Sequence, residues 1–318
     1  MDDPFLYHSR MDILDAIGET TLVELRRVVP EECGAIFVKC EWENPTGSMK
    51  DRMARAVIDR AAADGRLRPG DGVVEYTGGS TGASLALVCA ARGHHIRIVT
   101  SDAFSREKRD QMAALGAELV IIPSEGGRTT KALIEAMIEK ARTLSREPNT
   151  YWTDQLRNQD SLAGYHPLGE EIWRQTDGMV DAFVHSVGTS ASLRGTGTVL
   201  KERKPGIRIV AVEPAESPVL SGGQPSPHNI EGMGIGWIPP LWDAALADQI
   251  VAIPTSDAKE MTRRLAREEG LFGGTSGGAN VLAAIQVAKR LGPGSKVVTL
   301  LPDSGLKYVT TDVYRSAT

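Results

Sequence analysis

A lysine follows a short loop of small and polar residues near the start of the chain. The stretch NPTGSMKDR, residues 44–52, ends a β-like run and begins a helical one, and Lys50 lies at the junction. Most lysines in such a chain lie on solvated helix faces, which is one interpretation of Lys50. The other is that the loop holds a small molecule beside the lysine amine. Lys50 alone does not decide between them, so the other loops must.

A second loop combines glycines with hydroxyl groups at the start of a predicted helix. It reads TGGSTG, residues 77–82, and follows the strand-like run 72–76. A tight turn with Ser80 or Thr81 as N-cap would explain part of it. Free backbone N–H groups and three hydroxyls at a helix N-terminus favour instead an anion such as a carboxylate. A dinucleotide fingerprint with Asp102 as its acidic residue is the rival, but Thr77 stands where that motif requires its first glycine.

Two further loops of small residues precede predicted helices. The first offers amides and hydroxyls that suit a phosphate dianion, and it is not a Walker loop because no Gly-Lys-Ser/Thr follows. Its members are Gly188, Thr189, Ser190, Ala191 and Ser192. The second loop, FGGTSGGAN at 272–280, places Ser276 at a helix start. Serine at such a position usually serves as a cap, and that interpretation stays open.

These loops need a scaffold that brings strand ends together. Apolar β-branched runs alternate with helix-like segments and cover residues 35–41, 72–76, 96–101, 118–123, 181–188, 207–214, 249–254 and 296–303. This alternation predicts an α/β fold with two doubly wound lobes, in which helices cover both faces of parallel sheets. In such sheets ligands bind at the carboxyl ends of the strands. One helix is predicted to begin at Thr129, and LSREPNT near residue 147 is the candidate linker.

Composition excludes several classes of function. The chain has 318 residues, a formal net charge of −5 and a pI near 5.8, so no basic surface for nucleic acid is expected. The longest run of small apolar residues, GASLALVCAARG, is too short to cross a membrane, and the acidic N-terminus does not resemble a secretory signal. Three cysteines and six histidines show no metal-ligand spacing, so we expect no metal site and a reducing, cytoplasmic location.

The loops together resemble those of the fold type II pyridoxal-phosphate enzymes of the cysteine synthase and cystathionine β-synthase family. The family's lysine motif, Asn-Pro-(Thr/Ser)-x-Ser-x-Lys-Asp-Arg, is present as NPTGSMKDR. Its substrate loop, Thr-Ser-Gly-Asn-Thr-Gly, is similar to TGGSTG, and its phosphate loop, Gly-Thr-Gly-Gly-Thr, to GTSAS. The segments at 151–173 and 211–239 also resemble the family. The resemblance extends from about Leu22 to Thr311 and keeps the order of the motifs.

The resemblance implies pyridoxal 5′-phosphate as cofactor and a role for each loop. Lys50 would form the internal aldimine and then act as general base. Ser276 would face the pyridine nitrogen, and Ser80, where the family has asparagine, the phenolic oxygen. The phosphate would be held by Gly188, Thr189, Ser190, Ala191 and Ser192. The substrate-binding candidates are Thr77, Gly78, Gly79, Thr81, Gln155 and Gly232.

The resemblance also implies a two-lobed, tryptophan synthase β-like architecture with the cofactor cleft between the lobes. The smaller lobe would comprise residues 44–150 and carry the substrate-carboxylate loop. The larger lobe would comprise residues 1–43 and 151–318 and carry the phosphate loop. A homodimer is expected.

The implied reaction is β-elimination and β-replacement on a serine- or cysteine-type amino acid. In the cysteine synthase reaction, O-acetylserine loses acetate to give an aminoacrylate, to which sulfide or another thiol adds. A cysteine desulfhydrase or a cystathionine β-synthase would share that intermediate, and a pyridoxal-phosphate-binding interaction protein without catalysis is a distant alternative. Gly78 and Ser80 depart from the family's serine and asparagine, so we expect their loop to hold substrate and cofactor ring less rigidly.

Overall fold

The computed structural model describes residues 12–127 and 130–315. Within these residues the chain forms ten strands in two sheets. The strands are β1 (Leu22–Glu24), β2 (Ala35–Cys40), β3 (Gly72–Tyr76), β4 (Ile96–Ser101), β5 (Glu118–Ile122), β6 (Thr150–Trp152), β7 (Ala182–Ser186), β8 (Arg208–Pro214), β9 (Gln249–Ile253) and β10 (Lys296–Leu301). The strands predicted from β-branched runs are therefore all present.

Helices alternate with these strands. They are α1 (Lys50–Ala63), α2 (Ser80–Arg92), α3 (Arg106–Ala114), α4 (Lys131–Leu144), α5 (Asp160–Ala163), α6 (His166–Gln175), α7 (Ala191–Arg203), α8 (Thr255–Arg264) and α9 (Thr275–Leu291). The predicted helix start at Thr129 lies outside the described residues, and α4 has Thr130 as its N-cap. In residues 12–127 and 130–315, no helix is both long and apolar enough to cross a membrane.

The two sheets confirm the predicted α/β architecture. The larger sheet has the order β1-β2-β10-β7-β8-β9, and the smaller has the order β5-β4-β3-β6. Only the β1–β2 pairing is antiparallel among these described strands. The short strand β6 was not predicted, because its three residues are too few to show a pattern, and it pairs with β3. The lobe boundaries at 44 and 150 stay a prediction, although the smaller sheet extends to Trp152.

The larger sheet is buried on both faces, which explains its continuous apolar strands. Alternate residues of neighbouring strands enter two different cores. One core contains Phe183, Ile209 and Val298. The other contains Val184, Val210 and Val297. The carboxyl ends of the parallel strands in this sheet point toward one edge, from which the chain continues after β2 to the Lys50 loop and after β7 to the loop 188–192.

Candidate active site

Lys50 lies where its loop meets the segment that follows β10. The backbones of Ser48 and Asp303 form an isolated antiparallel β-bridge. The Met49 N–H donates to the Pro302 carbonyl at 2.9 Å. Lys50 itself is the first residue of α1 and is half-buried at this junction. A solvated helix face is therefore not its environment.

The environment of Lys50 favours a neutral amine. Burial lowers the pKa of Lys50, the Asp303 carboxylate opposes this effect, and the charge of Lys307 adds to it. A lowered pKa increases the fraction of unprotonated amine at a given pH, and this is the form that reacts with an aldehyde or accepts a proton. The side chain is thus suited to both tasks.

The other residues of the lysine motif hold the loop in place. The backbone N–H and the hydroxyl of Thr46 donate to the Asp51 carboxylate at 2.8 and 2.6 Å. Asn44 accepts from the Gly18 N–H at 2.9 Å and donates to the Glu41 carbonyl at 2.8 Å. The bonds to Asp51 and Glu41 hold the turn before Lys50 together, and the bond from Gly18 connects this turn to a segment 26 residues earlier.

The substrate-loop candidates Thr81 and Gln155 contact each other across 74 residues of sequence. The Thr81 hydroxyl donates to Gln155 Oε1 at 2.9 Å. Gln155 Nε2 in turn donates to the Tyr76 carbonyl at 2.8 Å. An amide nitrogen carries two hydrogens, so this arrangement leaves one Gln155 N–H for a further acceptor.

The hydroxyl of Ser80 contacts the loop after β10 and does not cap a helix. Helix α2 begins at Ser80 and has Gly79 as N-cap, without a side-chain cap bond. Ser80 Oγ lies 3.4 Å from Asp303 Oδ2 and 3.3 Å from Lys307 Nζ. The N-cap interpretation of Ser80 and Thr81 is therefore wrong. The helix start leaves its first N–H groups without intrahelical partners, as a carboxylate site requires.

The substrate loop is packed more tightly than expected from its glycines. A Cβ on Gly78 would lie 2.3 Å from the Phe104 ring, which fills the space a side chain would need. A Cβ on Gly79 would lie 2.9 Å from Lys108 Cδ. Side chains distant in sequence therefore occupy the space beside both glycines, and the expectation that this loop holds substrate and cofactor ring less rigidly stays a prediction.

The phosphate-loop candidates lie at the N-terminus of α7. Ser190 is the N-cap residue, in a left-handed conformation with φ of 74°. Its Oγ is buried and has no hydrogen-bond partner in the described part of the chain. A Cβ on Gly188 would lie 2.4 Å from the Gly232 carbonyl, so the loop touches the 211–239 segment closely. An unpartnered hydroxyl beside the N-terminus of a 13-residue helix fits a phosphate group.

Ser276 is the second residue of α9 and is not its cap. Gly274 is the N-cap, and no side chain caps the helix. Ser276 is buried. The cap interpretation is therefore wrong, which favours a ligand as the partner of the Ser276 hydroxyl.

Sequence reasoning missed the group of residues that follows β10. Asp303 is buried, and its Oδ2 accepts from the Tyr308 hydroxyl at 2.7 Å. Its Oδ1 is buried without a partner among residues 12–127 and 130–315. Lys307 is buried as well, and burial lowers its pKa, while the nearby Asp303 charge opposes the shift. The available signal was the position of these residues directly after a parallel strand.

Asp102 directly follows β4, and its carboxylate is used in local contacts. Its Oδ1 accepts from the Ser124 N–H at 2.8 Å and from the Ser101 hydroxyl at 3.1 Å. The carboxylate thus connects the ends of β4 and β5.

The contacts around Asp303 connect the lysine loop and the substrate loop, while Gly188 joins the phosphate loop to the 211–239 segment.

Comparison with protein families shows a match to "Pyridoxal-phosphate dependent enzyme" over residues 13–303. The chain belongs to this family. It is accordingly an enzyme with pyridoxal phosphate as cofactor, and the nicotinamide alternative is wrong.

Similar proteins include a cysteine synthase from Staphylococcus aureus, which is 42% identical over 95% of this chain and 96% of its own length. The crystal structure of a cysteine synthase from Entamoeba histolytica is 36% identical, with a TM-score of 0.89 over 100% of this chain and 94% of the other. The crystal structure of a hydrogen sulfide-producing enzyme from Fusobacterium nucleatum is 36% identical, with a TM-score of 0.87 over 93% of this chain and 97% of the other. The predicted fold type II architecture is thereby confirmed.

Proposed function

We propose that the protein catalyses β-replacement of the cysteine synthase type, converting O-acetylserine and sulfide to cysteine and acetate. The main support is the contact of Asp303 with both Ser48 of the lysine loop and Ser80 of the substrate loop. This contact joins the loop that carries Lys50, an amine of lowered pKa, to a loop that suits an amino-acid carboxylate. The similarity to two cysteine synthases agrees with it.

Lys50 is proposed to carry and then move a proton. When bound, pyridoxal phosphate withdraws electrons from the α-carbon of the amino acid, which makes the α-proton acidic and allows a β-substituent to leave. Lys50 Nζ holds the cofactor by its aldehyde and, once released by the substrate, removes the α-proton. Its lowered pKa keeps the amine unprotonated at a lower pH than an exposed lysine would allow.

The loop at 77–81 is proposed to bind the substrate carboxylate. The N–H groups at the start of α2 and the free N–H of Gln155 are the donors for it, and the Thr81 hydroxyl, which donates to Gln155 Oε1, orients that amide. Thr77 supports the turn, because its hydroxyl accepts from the Gly79 N–H at 3.1 Å. Binding here orients the α-proton toward Lys50.

The remaining candidates are proposed to hold the cofactor. Residues 188–192 would bind its phosphate, and Ser80 with Lys307 would face its phenolic oxygen. Ser276 would offer the pyridine nitrogen a neutral hydroxyl, which does not stabilise a protonated ring as a carboxylate would. A weaker electron sink favours fast β-elimination over chemistry that needs a long-lived carbanion.

The test is an assay of the purified protein with O-acetylserine and sulfide, in which we expect cysteine. The Lys50→Ala variant is the inactive control, and Arg60→Met, a change on the exposed face of the same helix, is the active one. Absence of cysteine formation from O-acetylserine, O-phosphoserine and serine would contradict the proposal.

A cysteine desulfhydrase is the second candidate, because the chain is similar to the Fusobacterium hydrogen sulfide-producing enzyme. Pyruvate and sulfide released from cysteine alone would measure this activity. A pyruvate rate above the rate of cysteine synthesis would make the desulfhydrase reaction the principal one. A spectral change with amino acids but without turnover would instead favour a binding protein.

We also propose that the enzyme is a cytoplasmic homodimer. The three cysteines are free, as a reducing compartment would keep them. Light scattering after size-exclusion chromatography tests the dimer, and a monomeric mass would contradict it. Fractionation of cells tests the location.

A further inference from the structure

A buried histidine lies beneath the proposed phosphate loop and has no role in the mechanism above. His185 belongs to β7 and is 2% exposed. Its Nε2 lies 2.8 Å from Ser192 Oγ, and its Nδ1 lies 3.3 Å from Asn280 Nδ2. Asn280, on α9, is completely buried. The three side chains therefore form a chain of contacts that ends at the phosphate loop.

The orientation of the Asn280 amide follows from its other partners. Its Oδ1 accepts from the Ser186 N–H at 2.8 Å, and its Nδ2 donates to the Leu300 carbonyl at 2.9 Å. A flipped amide would place nitrogen against an N–H and oxygen against a carbonyl, and both contacts would be repulsive. The second hydrogen on Asn280 Nδ2 therefore points at His185 Nδ1.

This orientation determines the tautomer of His185. Since Nδ1 accepts from Asn280, it carries no hydrogen, and the single hydrogen of the neutral ring is on Nε2. The ring is neutral at working pH because burial, aided by the Lys50 charge, lowers the pKa of His185 to about 3. Nε2–H consequently donates to Ser192 Oγ.

The donated bond controls what the Ser192 hydroxyl can do. Its oxygen accepts from His185, so its own hydrogen is directed to another acceptor. Among residues 12–127 and 130–315 Ser192 Oγ contacts no other hydrogen-bond partner than His185. Nearby, the buried Ser190 Oγ is also without a partner. Within the described residues the loop thus has two hydroxyl hydrogens without a protein acceptor, which are available to a phosphate.

We propose that His185, oriented by Asn280, is a positioning residue that fixes the Ser192 hydroxyl as a hydrogen-bond donor to the phosphate of pyridoxal phosphate. The inference rests on the proposed placement of the phosphate at residues 188–192. It does not depend on which amino acid the enzyme converts.

The test compares pyridoxal phosphate with pyridoxal, which lacks the phosphate. The full-length protein is freed of cofactor with hydroxylamine and titrated with each compound. His185→Phe should weaken binding of pyridoxal phosphate about tenfold, corresponding to about 1.4 kcal/mol, and leave pyridoxal binding unchanged. His185→Gln, which can still donate to Ser192, should restore most of the affinity. The ³¹P resonance of the bound cofactor should shift in His185→Phe and Ser192→Ala.

A double-mutant cycle separates positioning from general damage. If His185 acts through Ser192, the His185→Phe/Ser192→Ala protein should bind pyridoxal phosphate no more weakly than Ser192→Ala alone. Additive losses, or equal losses for pyridoxal, would overturn the proposal. If His185→Phe does not fold, Ser192→Ala still tests the proposal. Wild-type affinity of Ser192→Ala for pyridoxal phosphate would overturn it. A wild-type protein that binds pyridoxal phosphate but forms no cysteine would count against the proposed reaction instead.

Discussion

Replacing Arg52 by methionine should destabilise the protein by about 3–5 kcal/mol, because it leaves buried carboxylates without their main counter-ion. The Arg52 guanidinium contacts Glu41 at 2.7 Å and Glu171 at 2.6 Å, and all three side chains are at most 4% exposed. Lys39 adds a contact to Glu171 at 2.7 Å. The network connects α1, which begins with Lys50, to β2 and α6.

The pKa of Glu171 gives an independent magnitude. Burial alone would raise the pKa of Glu171. The hydrogen bonds and charge of Arg52, followed by those of Lys39, outweigh burial and lower this pKa from 4.5 to about 2. A shift of that size corresponds to about 3 kcal/mol, since one pKa unit is about 1.4 kcal/mol. The folded-state pKa is the lower one, so this stabilisation is complete above the unfolded value of 4.5 and is lost as the pH falls toward 2.

Urea unfolding followed by tryptophan fluorescence measures the effect. The matched control is Arg60→Met on the same helix, whose ion pair with Asp160 is long, at 3.7 Å, and whose side chain is 57% exposed. It should cost less than about 1 kcal/mol. The penalty of Arg52→Met should be larger at about pH 7 than at about pH 4.5, because protonation of Glu171 removes a buried negative charge that Arg52 no longer balances in the variant. Equal stabilities of the two variants, or a penalty independent of pH, would refute this reasoning.

Three further predictions concern the active site. Gly78→Ser should destabilise the protein by about 1–3 kcal/mol through overlap with Phe104, and Phe104→Ala in the same chain should restore the unfolding temperature; a Gly78→Ser protein as stable as the wild type would contradict the packing. Ser276→Asp should slow pyruvate release from cysteine, because a carboxylate would keep the pyridine nitrogen protonated; a rate equal to that of the uncharged control Ser276→Ala would leave Ser276 without this role. Lys307→Met should raise the pKa of Lys50, whose pKa the Lys307 charge helps to lower. The pH dependence of cofactor capture by the cofactor-free protein measures this shift, and an unchanged or lower pKa would speak against it.

The sequence predicted the strands and the loop motifs for local physical reasons. Runs of β-branched residues specify buried parallel strands, and such strands bring their carboxyl-end loops to one edge. Lys50 could be predicted because its motif is contiguous. The three-residue strand β6 could not, since a short edge strand has too few residues to show a pattern.

The missed site residues depend on contacts between distant segments. His185 and Asn280 are separated by 95 positions, and each looks like an ordinary core residue until the other is placed beside it. Phe104 similarly fills the space at Gly78 only in the folded chain. A single sequence shows which side chains can form such contacts, but not which partners they find.

The proposed reaction requires that Lys50, rather than another lysine of the site, holds the cofactor. Borohydride reduction of the holoenzyme, followed by mass spectrometry of its peptides, tests this most directly. Lys108 and Lys307 are buried nearby and serve as internal controls. We predict a phosphopyridoxyl group on the peptide that contains Lys50, and none on that peptide in Lys50→Ala. A label on Lys108 or Lys307 in the wild-type enzyme, with Lys50 unmodified, would contradict the account.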